Sequence, residues 1–396
     1  RIVLGLMLMG QAGLVSIAAS LILTFAGGTT PSQVLLRLGV IAAIITTILV
    51  VARNRRVESW VTRQIVRGLR QWTELDVRDM VHLMQLTNAY AVTELFVETT
   101  CSTAELESRR RPRTDIVAEA ADGPGRWNCD HGPFRAYERT LDAAPIGDDR
   151  WTVRERTRYR LAIPVWGWLF QVPIRRALRA RQPGFDYWWA PPDRLDAHPA
   201  TVLGLLAAVQ LVDGYLGTVL TQTVTFAADE FGHGNFAQGL VLGLVRFGVL
   251  ITLAAGVVAD RRGRRGVLLA TGIAGCLFTA LGGLAPGLWF VGATQLVARG
   301  LSTALGVLIV IIAAEEMPAR SRAWAASVLV LAAGLGSGMA VWVLPIADVD
   351  PRGWRAVYLA ALLGVLVVVW AGRRLPETTR FTSHIDDAPA TVHTPD

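Results

Sequence analysis

Lysine is absent: all 39 basic residues of this 396-residue chain are arginines. That excludes a P-loop, a Schiff-base lysine and a lysine nucleophile, and with them pumps driven by P-loop ATP hydrolysis. Cysteine is scarce, and Cys101, Cys129 and Cys276 form no CxxC pair, so neither a disulfide framework nor a zinc site follows. Cys129-Asp-His131 offers too few ligands, in a Gly/Pro-rich stretch, to read as a metal centre. A His/Glu cluster and a nucleophile elbow are also lacking, so no catalytic residues, no cofactor and no enzyme are expected. Residue 1 is Arg and an apolar run begins at once without a signal-peptide cleavage pattern, so the chain reads as starting inside a longer protein.

What the chain has in abundance is apolar sequence, 52% of its residues against 18% charged, the balance of a polytopic membrane protein with a polar extramembrane portion. A net charge of +7 would raise nucleic acid as a partner. The arginines, however, gather at the ends of apolar runs and in short connections, where the positive-inside rule puts them. The expected partner is therefore the lipid bilayer, and no nucleic acid.

Ile2 to about Phe25 and Val34 to Val51 read as a transmembrane hairpin over residues 1–52, closed by Arg53-Asn-Arg55-Arg56. Val57, Val61, Ile65, Leu69 and Trp72 then recur at helical spacing with Arg63, Arg67 and Arg70 opposite, a juxtamembrane amphipathic helix. It opens a segment, 53–100, that looks incomplete, with a strand expected from Tyr90 to Val97. Residues 101–160, with Arg109-Arg-Arg-Pro-Arg113, read as a basic, partly disordered linker, with a join between two unrelated segments near residues 100–113. Residues 161–198, carrying Trp166, Trp168, Phe170 and Arg175, Arg176, Arg179 and Arg181, read as interfacial.

After His198 six spans follow at a steady pace, over about Val202 to Ala227, Ala237 to Ala259, Gly266 to Ala285, Leu288 to Ala314, Ala323 to Ile346 and Ala356 to Ala371. They fill residues 199–381, and 382–396 is a polar tail. Their connections alternate between acidic or neutral and Arg-rich, which places both ends of the bundle in the cytoplasm of a cell with the bundle in its inner (plasma) membrane.

The turn between the second and third of these spans reads Gly256-Val-Val-Ala-Asp260-Arg261-Arg262-Gly263-Arg264-Arg265. It resembles the signature loop of the major facilitator superfamily of secondary transporters. Glu315-Glu-Met-Pro-Ala-Arg320-Ser-Arg322 after the fourth span and Leu375-Pro-Glu-Thr-Thr-Arg380-Phe after the sixth are similar to that family too, with Thr379 where its pattern has Pro. The resemblance covers roughly residues 160–381. It implies an all-α polytopic fold, a six-helix major facilitator half, here preceded by the hairpin and juxtamembrane helix. It implies secondary transport of a small solute, coupled to an ion gradient such as that of H+, by alternating access that needs a second six-helix half or a partner chain. In that family the loop is a latch between the two halves, a role that would fall to Asp260, Arg261, Arg264 and Arg265, with Gly256 and Gly263 allowing the close turn. Gly334, Gly336 and Gly338 lack the Gly-Pro pair of many drug/proton antiporters. Residues 1 to about 98 resemble instead the membrane-anchored proteins with a TrkA-C domain, through Arg1-Ile-Val-Leu-Gly-Leu-Met-Leu-Met-Gly-Gln-Ala-Gly-Leu-Val15 and Leu75-Asp-Val-Arg-Asp79. That resemblance implies the alternative role of a regulatory subunit in potassium uptake.

Charged groups inside a span are costly and mark function or a buried pair. Asp213, Arg246 and Arg299 all fall on the order of 15 to 20 Å from a membrane face at 1.5 Å per residue. Gln210, Asp213, Gly217 and Thr221 share one helical face of the first span, and Gln295, Arg299, Ser302 and Gly306 one face of the fourth. Gly239 and Gly243 would permit close helix approach beside Arg246. Two readings stand: an Asp213 to Arg246 ion pair that locks helices, or a cavity in which Arg299 and Arg246 supply counter-charge and Asp213 carries a proton.

Overall fold

The computed structural model describes residues 92–181, 187 and 189–376. The hairpin, the juxtamembrane helix, nearly all of the TrkA-C resemblance and the polar tail lie outside the described residues. Strand β1 (Thr93–Ser102) realises the strand expected from Tyr90 to Val97 and extends it. With β2 (Ala118–Ala121), β3 (Arg126–His131), β4 (Phe134–Gly147) and β5 (Arg150–Leu161) it makes an antiparallel sheet of order β1-β5-β4-β3-β2. The alternation in β5 is the reason: Val153, Glu155, Thr157, Tyr159 and Leu161 turn inward and are buried, while Arg154, Arg156 and Arg158 face out. Arg154 pairs at 3.0 Å with Glu98, directly opposite on β1.

This sheet corrects the reading of residues 101–160 as a linker. Strand β1, which runs into that stretch and ends at Ser102, pairs along all ten of its residues with β5 beyond it, so the chain on the two sides of residues 103–113 folds into one sheet. Helix α1 (Thr103–Arg110) starts at Ser102, whose Oγ accepts from the Glu105 amide at 3.3 Å. Its Leu106 completes an apolar cluster with Cys101, Trp127, Leu141 and Val153. Helix α2 (Gly167–Ala180) buries Ile174, Ala177 and Leu178, and its Gln171 accepts from the Tyr159 hydroxyl at 3.2 Å.

Beside the apolar cluster the inner face of the sheet is held by charge. The fully buried Arg139 grips Glu119 with two nitrogens, at 2.8 and 2.7 Å, and stacks 3.7 Å over Trp127. Tyr137 donates to the same carboxylate at 2.6 Å, and burial, reinforced by that neighbouring charge, pushes its phenol well above the usual range. The Arg109 to Arg113 run is woven into this network. The carbonyls of Arg109 and Arg111 accept from Arg139, and Arg113 binds Asp115 at 2.6 Å while donating to the Leu178 carbonyl at 2.8 Å, capping α2. Arg181, expected at lipid headgroups, instead reaches Glu155 at 3.3 Å and the Arg109 carbonyl at 2.9 Å.

Beyond residue 196 the chain is helical, as expected. The first span is α3 (Ala197–Glu230), and the second is α4 (Asn235–Val245), a 3-10 turn at Arg246–Gly248 and α5 (Val249–Arg262). The third is α6 (Arg264–Gly282), the fourth α7 (Leu288–Glu316), the fifth α8 (Arg322–Val343) with its flanking 3-10 turns, and the sixth α9 (Trp354–Leu359) with α10 (Ala361–Arg374). Each of these six is long and apolar enough to cross a membrane. The all-α polytopic class holds for this bundle, to which the sheet is an addition. Alanine and glycine bring the first and fifth spans together: a Cβ on Gly214 would strike the backbone of Ala333, and one on Gly336 the backbone of Leu211. The sheet meets the end of the bundle where α3 begins. Arg194 donates to the Thr114 and Asp115 carbonyls, and Asp196 accepts from the Gly132 amide at 3.1 Å.

Removing one partner of a buried, hydrogen-bonded pair leaves the other uncompensated. Glu119→Ala is therefore expected to lower the stability of the sheet by about 3 to 5 kcal/mol. Denaturant unfolding followed by tryptophan fluorescence checks this, and a loss below about 1 kcal/mol would mean the network is dispensable.

Candidate functional site

Asp213 lies 16 residues from the start of α3 and 17 from its end, and Ser302 lies 14 residues from either end of α7, so both sit at mid-span. The two helices are joined there: Ser302 donates from Oγ to Asp213 Oδ1 at 2.5 Å, and Gln210 donates from Nε2 to Oδ2 at 2.8 Å. The space for the carboxylate exists because residue 306 is glycine. A Cβ there would stand 2.9 Å from Asp213 Oδ2. One turn further along α3, the Gly217 carbonyl accepts from the Arg299 guanidinium. Asp213, Gln210, Gly217, Arg299, Ser302 and Gly306 thus lie together where the first and fourth spans meet. Gln210 is buried, and its Oε1 has no hydrogen-bond partner among the described residues.

Two expected members are elsewhere. Arg246 is exposed, in the 3-10 turn that interrupts the second span, and its guanidinium has no partner among the described residues. The Asp213 to Arg246 ion pair is therefore not formed. Gly239 and Gly243 likewise have nothing within 4 Å of a built Cβ, so no helix approaches them closely. Gln295 is buried but turned toward the third and sixth spans: a Cβ on Gly282 would meet both its Nε2 and the Tyr358 ring at 3.0 Å. Conversely, Thr218 and Ser337, whose hydroxyls bond at 2.9 Å between the first and fifth spans, went unforeseen. The only hint of Ser337 was its place in the small-residue run from Gly334 to Gly338.

The turn between second and third spans closes as expected at Gly263, whose φ of 93° favours glycine. Arg264 binds Glu315 at the end of the fourth span at 3.0 Å and lies 3.9 Å from Asp260. Arg265 donates to the Gly372 carbonyl at 2.9 Å, capping the sixth span. These arginines brace three helix ends within one bundle, whereas Asp260 and Arg261 stay exposed. The expected part of Gly256 is not seen, since a built Cβ there meets nothing within 4 Å. At the opposite end, sequence reasoning missed a clamp in which Glu230 accepts from Trp354 Nε1 at 2.7 Å and from Arg355 at 3.0 Å, tying the first span to the sixth.

Residues 194–386, a little under half of the chain, match the family described as "Sugar (and other) transporter". Over 193 residues the chain is 28% identical to the human protein named "Putative transporter SVOPL", covering 46% of this chain and 36% of that one. The chain thus spans about a third of the length of this curated relative. A crystal structure of a double-tryptophan XylE mutant aligns at TM-score 0.41 and 18% identity, over 49% of this chain and 48% of that one. The helical segment is thus similar to a family of transporters, and it holds six helices long and apolar enough for a multi-pass membrane protein.

The two glycines of the turn are expected to separate on substitution. Gly263→Ala should cost about 1 to 3 kcal/mol for backbone strain, whereas Gly256→Ala, helical with open space around it, should be neutral or stabilise by up to about 1 kcal/mol. Thermal unfolding of the detergent-solubilised protein measures both, and equal losses would refute the assignment.

Proposed function

We propose that this chain carries a small polar solute across a membrane by alternating access, coupled to a proton gradient, with Asp213 as the proton carrier. One observation carries the reading: a carboxylate at mid-span ties the first span to the fourth through Ser302, with Arg299 one turn away. Ionised, Asp213 accepts from Ser302 and Gln210 and is balanced by the Arg299 charge. Protonated, it loses its pull on both, so the first and fourth spans are free to part while Arg299 and the unpartnered Gln210 Oε1 turn to the solute.

The family description, sugars and other solutes, suits such a site, because a hydroxyl-rich solute offers both donors and acceptors. Arg246 stands apart from this site, and its exposed face is left to a second six-helix half, from the rest of the protein or a partner chain, that alternating access requires. The arginine-rich end of the bundle faces the cytoplasm in the inner (plasma) membrane.

Proteoliposomes with an imposed proton gradient test the assignment on hexoses and pentoses. Asp213→Asn should lower gradient-driven accumulation by roughly tenfold or more, the equivalent of at least about 1.4 kcal/mol, while solute exchange without a gradient persists. Accumulation by the variant equal to that of the wild type would sink it.

A further inference from the structure

Trp168 is 51% exposed, Leu169 44% and Val165 41%, an unusual concentration of large apolar side chains at the foot of the sheet. The segment that carries them is bolted to the first span. The Ala162 carbonyl accepts from Thr201 Oγ1 at 2.8 Å, Trp166 donates from Nε1 to the Gly204 carbonyl at 3.1 Å, and a Cβ on Gly204 would lie 2.8 Å from Pro164. Gly204 is seven residues inside α3, about 10 Å along its axis. Val165 has a φ of 66°, a conformation a β-branched residue adopts only where its surroundings impose it. The chain is thus bent sharply beside a helix long and apolar enough to span a membrane, about one and a half to two turns inside its end, where an apolar core of about 30 Å centred on that helix would begin.

Helix α2 continues the pattern. Its Ile174, Ala177 and Leu178 pack inward. Arg175 and Arg176 follow Trp168 and Leu169 by seven residues, two turns along the same face. The Nε of Arg175 and one terminal nitrogen of Arg176 are shielded from water and have no hydrogen-bond partner among the described residues. Apolar side chains followed by cationic ones on a single helical face fit the boundary between acyl chains and anionic headgroups.

We infer that Val165, Trp168 and Leu169 insert into the leaflet beside the first span, and that Arg175 and Arg176 bind anionic lipid headgroups, so that the sheet is seated on the membrane as well as on the bundle. This rests on the membrane reading of the six spans, and the control below separates the two.

Nitroxide labels are placed on the full chain in vesicles, at Trp168→Cys and separately at Leu169→Cys, in a Cys129→Ser background that leaves only the buried Cys101 and Cys276. Collision with oxygen should exceed collision with a water-soluble nickel chelate at both sites, with the reverse at Arg135→Cys on the sheet. A label at Val330→Cys, exposed on the fifth span, is the control. If Val330 reports lipid while residues 168 and 169 report water, the insertion is refuted. If Val330 itself reports water, the membrane reading fails and the insertion with it. Adding phosphatidylglycerol to phosphatidylcholine vesicles should deepen the label at residue 168, and Arg175→Gln with Arg176→Gln should abolish that response. A depth indifferent to phosphatidylglycerol would overturn the headgroup assignment.

Discussion

A carboxylate halfway along a 34-residue apolar helix sets the terms for the helices around it. In lipid or a dry protein interior an ionised group needs partners. Asp213 finds them in Ser302 and Gln210, in the gap left by Gly306, and in the positive charge of Arg299. Gln210 precedes Asp213 by three residues on the same helix, whereas Ser302, Gly306 and Arg299 face it only if the first and fourth spans cross at mid-depth in one register. The close approach of the first and fifth spans, made possible by Gly214 and Gly336, holds the first span from its other side.

The ends of the bundle are fixed by a different kind of contact. Arg264 and Arg265 join the third span to the ends of the fourth and sixth, and Glu230 joins the first to Trp354 and Arg355 of the sixth. These are charge-assisted bonds between partly buried groups. The first span is the most deeply packed of the six, and the second and fifth are the least. In the alternating access proposed above, the contact at mid-span is the one that changes and those at the rims are the ones that hold.

Much of this was legible in the sequence because the membrane makes the signal strong. Six apolar runs, the Arg-rich turns and the mid-span positions of Asp213 and Arg299 can be read from spacing alone, since a span of about 20 residues has few alternatives. The sheet was not legible as such. A run such as Arg109 to Arg113 usually marks a solvated surface, and its partners Glu119, Arg139, Glu155 and Leu178 lie in other elements. Only the fold brings them together. Helical spacing likewise put Gln295 on a stripe with Arg299, but the stripe is wide enough for one to face the third and sixth spans and the other the first. Arg246 failed for a related reason: depth alone does not say on which side of a helix a charge lies.

The central claim is that movement of solute and movement of a proton are one event at Asp213. It is tested most directly by the internal pH of proteoliposomes that start with no gradient of either. On addition of a transported solute outside, the interior should acidify as protons enter with it. Solute that enters without any change of internal pH would contradict the account.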